Sequence, residues 1–429
     1  MLIEFSVSNF LSFRDRQTFL MTAAPRLRKK ANTFPAPVDG EKLPDLLKVA
    51  VIYGPNAGGK SNFLKALGLV ALIASRSGDS SNKPLPVTPF KFDKSLLAEP
   101  SVFELHFLYG GQRYDFYLSV TWERVVCERL TAYPAGKETL LYERQHSVGS
   151  DHYLIGQLEG GEKVHEAWQK LTPPRALFIS QAVANSSEEL TQLREPHSWL
   201  TRALFTFDSK SIYSIAEHSL TLSRDNEKHG ANIASFLRDV DVPVTRIRIE
   251  RPELPANSAS PLSSIFATDT TAQGGRPGAL PKPPVRRLAI FTHMTALGEA
   301  DFNFQEESDG TQNLIGFWLP WTSRELGPDN ERCILAIDEL DSSLHPSIVA
   351  NLVKKHLEAG VPSQLIFSTH DTHLMDSGLL RRDQIWIAER DQNGATQLRS
   401  IHDFQGREGE DLEKRYYEGR YRGLPLVGS

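Results

Sequence analysis

Apolar and polar positions alternate at the start of the chain. Ile3, Phe5 and Val7 fall on one side and Glu4, Ser6 and Ser8 on the other, which predicts a strand with one buried face. Leu46 to Tyr53 is apolar nearly throughout after Lys48, the pattern of a strand covered on both faces in a parallel sheet. Residues 102–108 and 113–121 read as a hairpin turning at Gly110-Gly111. From about residue 160 to 240 the period becomes helical, in GEKVHEAWQKL, SSEELTQL and HGANIASFLRDV, with Pro173, Pro174, Pro196 and Pro243 as punctuation. Residues 252–285 carry seven prolines and almost no large apolar residues, the composition of a surface loop or linker. Beyond them RRLAIFTHM reads as a strand, RCILAIDEL as a buried strand, PSIVANLVKKHLEAG as a helix and SQLIFSTH as another buried strand. That β-α-β succession belongs to a parallel α/β sheet. No heptad pattern is sustained and no internal repeat occurs, so the expected class is α/β, with one sheet built from both ends of the chain around a long middle insertion.

Composition narrows the function classes. At about 150 residues per domain, 429 residues allow two or three domains or one with a large insertion. A hydrophobic share of 40% excludes wholesale disorder. Forty-eight basic against 53 acidic residues leave a net charge of −5, which forces no nucleic-acid partner and leaves DNA binding open. The short basic run Arg26–Lys30 reads as a solvated loop. Two distant cysteines, Cys127 and Cys333, exclude a disulfide scaffold or a cysteine-held zinc as the organising device. Glu4 interrupts any signal core and no run of 18 apolar residues exists, so no membrane partner and a cytoplasmic location are expected.

The strongest chemical signal is Gly54-Pro55-Asn56-Ala57-Gly58-Gly59-Lys60-Ser61, which fits G-x-x-x-x-G-K-[ST] (Walker A) between a buried strand and a helical run beginning at Asn62. Glycines let successive N–H groups close around phosphate oxygens and a helix N-terminus adds favourable potential. Lys60 neutralises the β/γ-phosphates, and Ser61 ligates Mg2+. ATP and Mg2+ are therefore the expected cofactors, with residues 54–62 as the nucleotide-binding set. ILAIDEL supplies the second acidic ligand such a loop needs: Asp338 to hold Mg2+, and Glu339 to orient or deprotonate the attacking water (Walker B). LIFSTHD ends a buried strand in His370, which can reach the γ-phosphate or the water. Ser308-Asp309-Gly310 opens an apolar helix, a second phosphate-binding N-terminus. In ATPase heads that these motifs resemble, residues of the first strands come near the base, which would bring in Phe10, Phe13 and Arg14, although core packing is the plainer reading of the two rings. His370-Asp371-Thr372-His373 has the look of a metal cluster but falls at the switch position, and Tyr416–Arg422 reads equally as a docking surface or as a helix packed on a sheet edge.

In this order, Walker A, S-D-G-T-Q, Walker B with its glutamate, Leu340–Pro346 as a D-loop and His370 as a switch histidine resemble an ABC-type ATPase head, as in SMC-like, RecF-like and OLD-like proteins. More narrowly, NFLSF (residues 9–13), ESDGTQNL, DSSLHP and RYYEGRYRGLP resemble RloA-type "AAA family ATPases" of bacterial defence loci. Residues 1–75 and 286–425 carry the likeness. The signature departs from L-S-G-G-Q, keeping only the serine and one glycine, and the Q-loop glutamine has Gln112 and Gln181 as candidates.

The resemblance implies an ABC/SMC-type head. Its expected parts are an N-terminal lobe (1–125), a partly helical insertion ending in the Pro/Ser-rich loop (126–285) and a C-terminal lobe (286–429). It implies a Mg2+-dependent ATPase acting as an ATP-sandwich homodimer or higher homo-oligomer, with Ser308 and Gly310 completing the site across the dimer and Glu339 and His370 as the catalytic pair. The job it implies is that of sensor or regulatory subunit in anti-phage defence, controlling a co-encoded effector such as a nuclease. Two rival readings stand beside it: a RecF/SMC-like DNA-repair ATPase that clamps DNA, and a P-loop kinase or transferase.

Overall fold

The computed structural model describes residues 1–76, 83–208, 211–223, 227–250, 288–326, 333–360, 363–376, 378–406 and 409–424. The Pro/Ser-rich segment lies outside the described residues. The chain divides into two compact units, Met1–Ser211 with Pro320–Ser429, and Ile212–Leu319.

The first unit holds two large sheets. One has seven antiparallel strands: β1 (Leu2–Ser8), β2 (Gln17–Leu20), β6 (Ser101–Tyr109), β7 (Gln112–Val120), β8 (Val125–Tyr133), β9 (Thr139–Ser147) and β10 (Ser150–Ile155), in the order β10-β9-β8-β7-β6-β1-β2. The expected hairpin is β6–β7, paired from Ser101↔Val120 to Tyr109↔Gln112. The strand expected at residues 3–8 is β1, with a different face pattern. A register shift between Leu2 and Glu4 sends Leu2 into the main core beside Phe5 and Val7. Ile3 turns to a smaller cluster with Phe34 and Leu46. Ser6 is buried too, its hydroxyl bonded to Thr18 Oγ1 at 2.9 Å.

Between these strands lie a two-stranded pair, β3 (Thr33–Phe34) with β4 (Leu46–Leu47), and the strand β5 (Val49–Tyr53) that precedes the glycine loop. All five β5 residues are buried, as the unbroken apolar run predicts for a strand covered on both faces. It belongs to a six-stranded sheet with β11 (Leu204–Phe207), β15 (Ile334–Ile337), β16 (Gln364–Ser368), β17 (Ile385–Arg390) and β18 (Thr396–Ser400), in the order β11-β15-β16-β5-β17-β18. Every pairing is parallel except β17–β18. The helix Lys60–Ala74 carries the layer between the two sheets. Phe63 meets Phe5 at 5.6 Å and Phe19 at 4.8 Å, while Phe19 also contacts Trp386 of β17 at 4.8 Å.

The expected boundary at 125/126 falls at the start of β8, which pairs with β7 along its length. Residues 126–155 thus extend the antiparallel sheet. The buried Glu128 fastens the following helix to it, accepting from Phe178 N–H (2.6 Å), Ile179 N–H (3.0 Å) and the Tyr142 hydroxyl (2.7 Å). β11, from the stretch read as helical insertion, is an edge strand of the six-stranded sheet. The division the structure draws is at 211/212 and 319/320. At the carboxyl edge of β5 and β17, the helix Leu412–Tyr417 buries Tyr416 against Tyr53 and leaves Tyr417 exposed, so one stretch is both sheet cover and surface.

The second unit is an antiparallel sheet of β12 (Val244–Glu250), β13 (Leu288–Thr295) and β14 (Gly298–Asn303), with helices over Ser211–Ser223 and Glu227–Arg238 and the start of Asp309–Leu326. Its core includes Ile212, Ile233, Leu237, Phe291, Ile315 and Phe317. Tyr213 and Phe304 are in ring contact at 5.2 Å.

Candidate active site

The glycine loop is shaped by what crowds it. Gly59 has φ +103°, and a Cβ there would stand 2.0 Å from Thr396 Oγ1 on β18. Gly54 has φ +147°, with a Cβ position 2.0 Å from the Ala388 carbonyl on β17. Both need a residue without a side chain, which lets the loop run against β17 and β18. Thr396 Oγ1 donates to Gly58 O at 3.1 Å and shares a hydroxyl–hydroxyl bond with Ser12 Oγ at 2.7 Å, and Asn62 Nδ2 donates to Ser12 Oγ at 2.9 Å. Residues from both ends of the chain therefore brace the loop.

Lys60 opens the helix and is buried; its ammonium donates to Gly54 O at 2.8 Å and Pro55 O at 3.2 Å. Burial pulls its pKa below the ordinary lysine value, and the carboxylates of Asp338, Glu339 and Asp341 oppose that shift. A cation so placed has acidic groups facing it and a helix N-terminus beneath it, the electrostatics of a phosphate cradle.

A cavity of about 650 Å³ opens over this cradle, lined by Asn56–Asn62 together with Glu339 and His370. The structure thus brings together the Walker A residues, the Walker B glutamate and the switch histidine that sequence reasoning proposed separately. Gly54 and Pro55 form the stem of the loop and border a neighbouring cavity that also reaches His370. Asp338 follows β15, its N–H donating to Phe207 O at 2.8 Å, and its Oδ1 accepts from Ser368 Oγ at 2.5 Å. Glu339 takes a left-handed backbone, φ +53°. The His370 N–H donates to Asp341 Oδ2 at 3.2 Å, which joins the switch segment to the D-loop. His345 caps the helix Pro346–Glu358, accepting from Ser347 N–H at 3.2 Å.

Ser308 and Gly310 belong to the second unit. Ser308 is exposed and sits just ahead of the helix Asp309–Leu326, its hydroxyl accepting from Thr311 N–H at 3.2 Å. An N-cap of this kind satisfies its own helix. Neither Gln112, at the start of β7, nor Gln181, in the helix Phe178–Ala184, lines the nucleotide cavity.

The rings considered for the base are core residues: Phe10 and Phe13 are buried, with Phe10 against Phe103 at 5.3 Å. Between them Leu11 and Ser12 face the cavity instead. The aromatic that does face it is Phe92, 73% exposed, with the Arg390 guanidinium 5.9 Å from its ring centre. Sequence reading passed over it; the signal was a lone large aromatic inside the polar stretch KFDKS. Base–aromatic stacking is worth about 1–3 kcal/mol, so Phe92→Ala is expected to weaken ATP binding by roughly tenfold. Titration with a fluorescent ATP analogue measures this, and wild-type affinity would remove Phe92 from the site.

The family described as "AAA domain, putative AbiEii toxin, Type IV TA system" matches residues 49–150 and 170–376, more than two thirds of the chain. The chain belongs to this family. An SMC head bound to the C-winged helix domain of ScpA is similar at 12% identity and a TM-score of 0.44, over 97% of this chain and 99% of that one. The SMC head domain from Thermotoga maritima is similar at 15% identity and a TM-score of 0.41, over 93% and 98%. No curated protein matches. The family and the sheet built from both chain ends give the expected α/β class, and an AAA-type ATPase domain is the coarse function. No helix among the described residues is long and apolar enough to cross a membrane.

The donor set suits ATP with Mg2+. Among the described residues no group of three or more His, Cys, Asp or Glu could hold a metal by itself. Mg2+ in nucleotide sites is held by one or two protein oxygens plus phosphates and water, which the Ser61 hydroxyl and Asp338 carboxylate can supply.

Proposed function

We propose that this protein is a Mg2+-dependent ATPase that works as an ATP-sandwich dimer and serves as the sensor or regulatory subunit of an anti-phage defence system, acting on a separate effector such as a nuclease. The observation that carries the enzymatic part is the single cavity in which Lys60 and Ser61 face Glu339 and His370. Lys60 and the loop amides bind and orient the phosphates. Glu339 is placed to hold the attacking water and take its proton, and His370 to contact the γ-phosphate. The Ser61 hydroxyl and the Asp338 carboxylate would hold Mg2+, which when bound would neutralise charge on the phosphates.

Ser308 and Gly310 at an exposed helix start support the composite site: in a head-to-head dimer they would meet the phosphates bound by the second copy. On this reading ATP favours the closed dimer because only that state adds these contacts. Ser308→Arg is expected to leave nucleotide binding by the monomer intact and to abolish ATP-driven dimerisation. Sedimentation of Glu339→Gln with and without ATP, alone and combined with Ser308→Arg, is the measurement. An unchanged oligomeric state with ATP would sink the sandwich.

The defence role follows the RloA-type likeness of NFLSF, ESDGTQNL and DSSLHP. The family description names a putative toxin, so the separate-effector reading meets a direct rival. Expression of the protein alone and with its neighbouring genes, with growth and phage plaquing as readouts, separates them. Growth arrest by the protein alone would favour the toxin.

A further inference from the structure

We propose that Ser368 is a positioning residue that sets the Asp338 carboxylate and the Glu339 backbone for the nucleotide reaction; this rests on the ATPase reading above. Ser368 ends β16 and is fully buried, between Ile52 of β5 on one side and the strand leading to Asp338 on the other. Its hydroxyl donates to Asp338 Oδ1 at 2.5 Å and accepts from the Glu339 N–H at 2.8 Å. Its carbonyl accepts from the Leu340 N–H at 3.1 Å. One residue of a neighbouring strand therefore grips three consecutive residues of the Walker B edge.

The hydrogen-bond inventory makes the arrangement directional. A hydroxyl has one proton and two acceptor sites. With Glu339 N–H occupying an acceptor site, the proton is free to go to Asp338 Oδ1. Asp338 Oδ1 is thereby spoken for, and among the described residues Oδ2 carries no protein hydrogen bond. It is left as the oxygen for the cation or its water. The second effect is on the backbone. Glu339 holds φ +53°, a left-handed conformation that a side-chain-bearing residue adopts only at a cost. The bond from its N–H to Ser368 helps hold that geometry and so the direction in which the Glu339 side chain leaves the strand. Ser368 also stands two residues before His370, so one short segment fixes both acidic residues and carries the switch histidine.

Partners of this kind, one bond removed from a metal, typically change metal affinity or activity ten- to a hundredfold when lost. The test is titration of wild type, Ser368→Ala and Ser368→Thr with a fluorescent ATP analogue, first in EDTA and then at rising Mg2+, with thermal melting as the check on folding. The expected result is that Ser368→Ala binds the analogue in EDTA as wild type does. It then needs at least about tenfold more Mg2+ for half of the Mg2+-dependent gain, and Ser368→Thr recovers part of the loss. Equal Mg2+ titrations for Ser368→Ala and wild type would overturn the proposal, as would equal weakening in EDTA and in Mg2+, which marks a merely structural role. If Ser368→Ala does not fold, Ser368→Cys, close in volume and a weaker donor, carries the same comparison. Wild type that binds no analogue at all refutes the nucleotide reading itself, a result distinct from either of these.

Discussion

Replacing Glu339 by glutamine is expected to leave ATP binding near wild type and to slow hydrolysis at least about 100-fold, within the range of 10²–10⁴ that a positioned acid–base group contributes. The glutamine keeps the size and one acceptor oxygen of the side chain that faces the Walker A residues across the cavity. It cannot take a proton from water. Lys60→Ala is the matched control and should lose tight binding, because it removes the one buried ammonium of the loop and leaves the carboxylates of Asp338, Glu339 and Asp341 facing the phosphates uncompensated. ATP affinity and single-turnover rates for both variants give the answer. Wild-type turnover in Glu339→Gln would remove that residue from the chemistry; loss of binding in it would mean that it shapes the pocket instead.

Gly59→Ala is expected to abolish nucleotide binding although it adds a single methyl group. The methyl would sit 2.0 Å from Thr396 Oγ1 and 2.7 Å from Thr396 Cγ2, at a backbone φ of +103° that alanine rarely takes. The left-handed backbone and the overpacking each cost on the order of 1–3 kcal/mol. The loop can relieve both only by leaving β18, which breaks the Thr396 bonds to Gly58 O and Ser12 Oγ. Thr396→Ala removes the two closest atoms and should restore part of the binding, whereas alone it should weaken binding modestly, since it also removes the bonds to Gly58 O and Ser12 Oγ. Binding titrations on the three variants measure this. An additive double mutant would show that the Thr396 contact is not what makes glycine necessary.

Much of this site was legible in the sequence because its parts are local. G-x-x-x-x-G-K-S, ILAIDEL and LIFSTHD each occupy one strand end, and the parallel sheet gathers strand ends along one edge, so pattern and order sufficed to unite Lys60, Glu339 and His370. Ser12, Phe92 and Arg390, which line the cavity, and Thr396, which braces the loop, were not legible, since each takes its place through a tertiary contact that no spacing encodes. Ser368 sat in view inside an apolar strand; a lone hydroxyl there needs a buried partner, and that was the signal. The domain boundary at 125/126 went astray for a related reason. In β8, VVCERLTAY, Glu128 and Arg129 break the apolar run, and the burial of Glu128 rests on helix amides contributed by Phe178 and Ile179, far along the chain.

The neighbours of β5 have a consequence for how the protein is made. Val49–Tyr53 is synthesised long before both strands that flank it, Gln364–Ser368 and Ile385–Arg390. Until then five consecutive apolar residues have no ladder to join, and the amides ahead of Lys60 have no β17 or β18 to lie against. Closure must wait for contacts of very long sequence separation, which fold slowly and leave the nascent segment open to aggregation or chaperone capture. A half-made chain therefore presents a sticky strand where the finished one presents a phosphate cradle, and its capacity to hold nucleotide arrives in one late step.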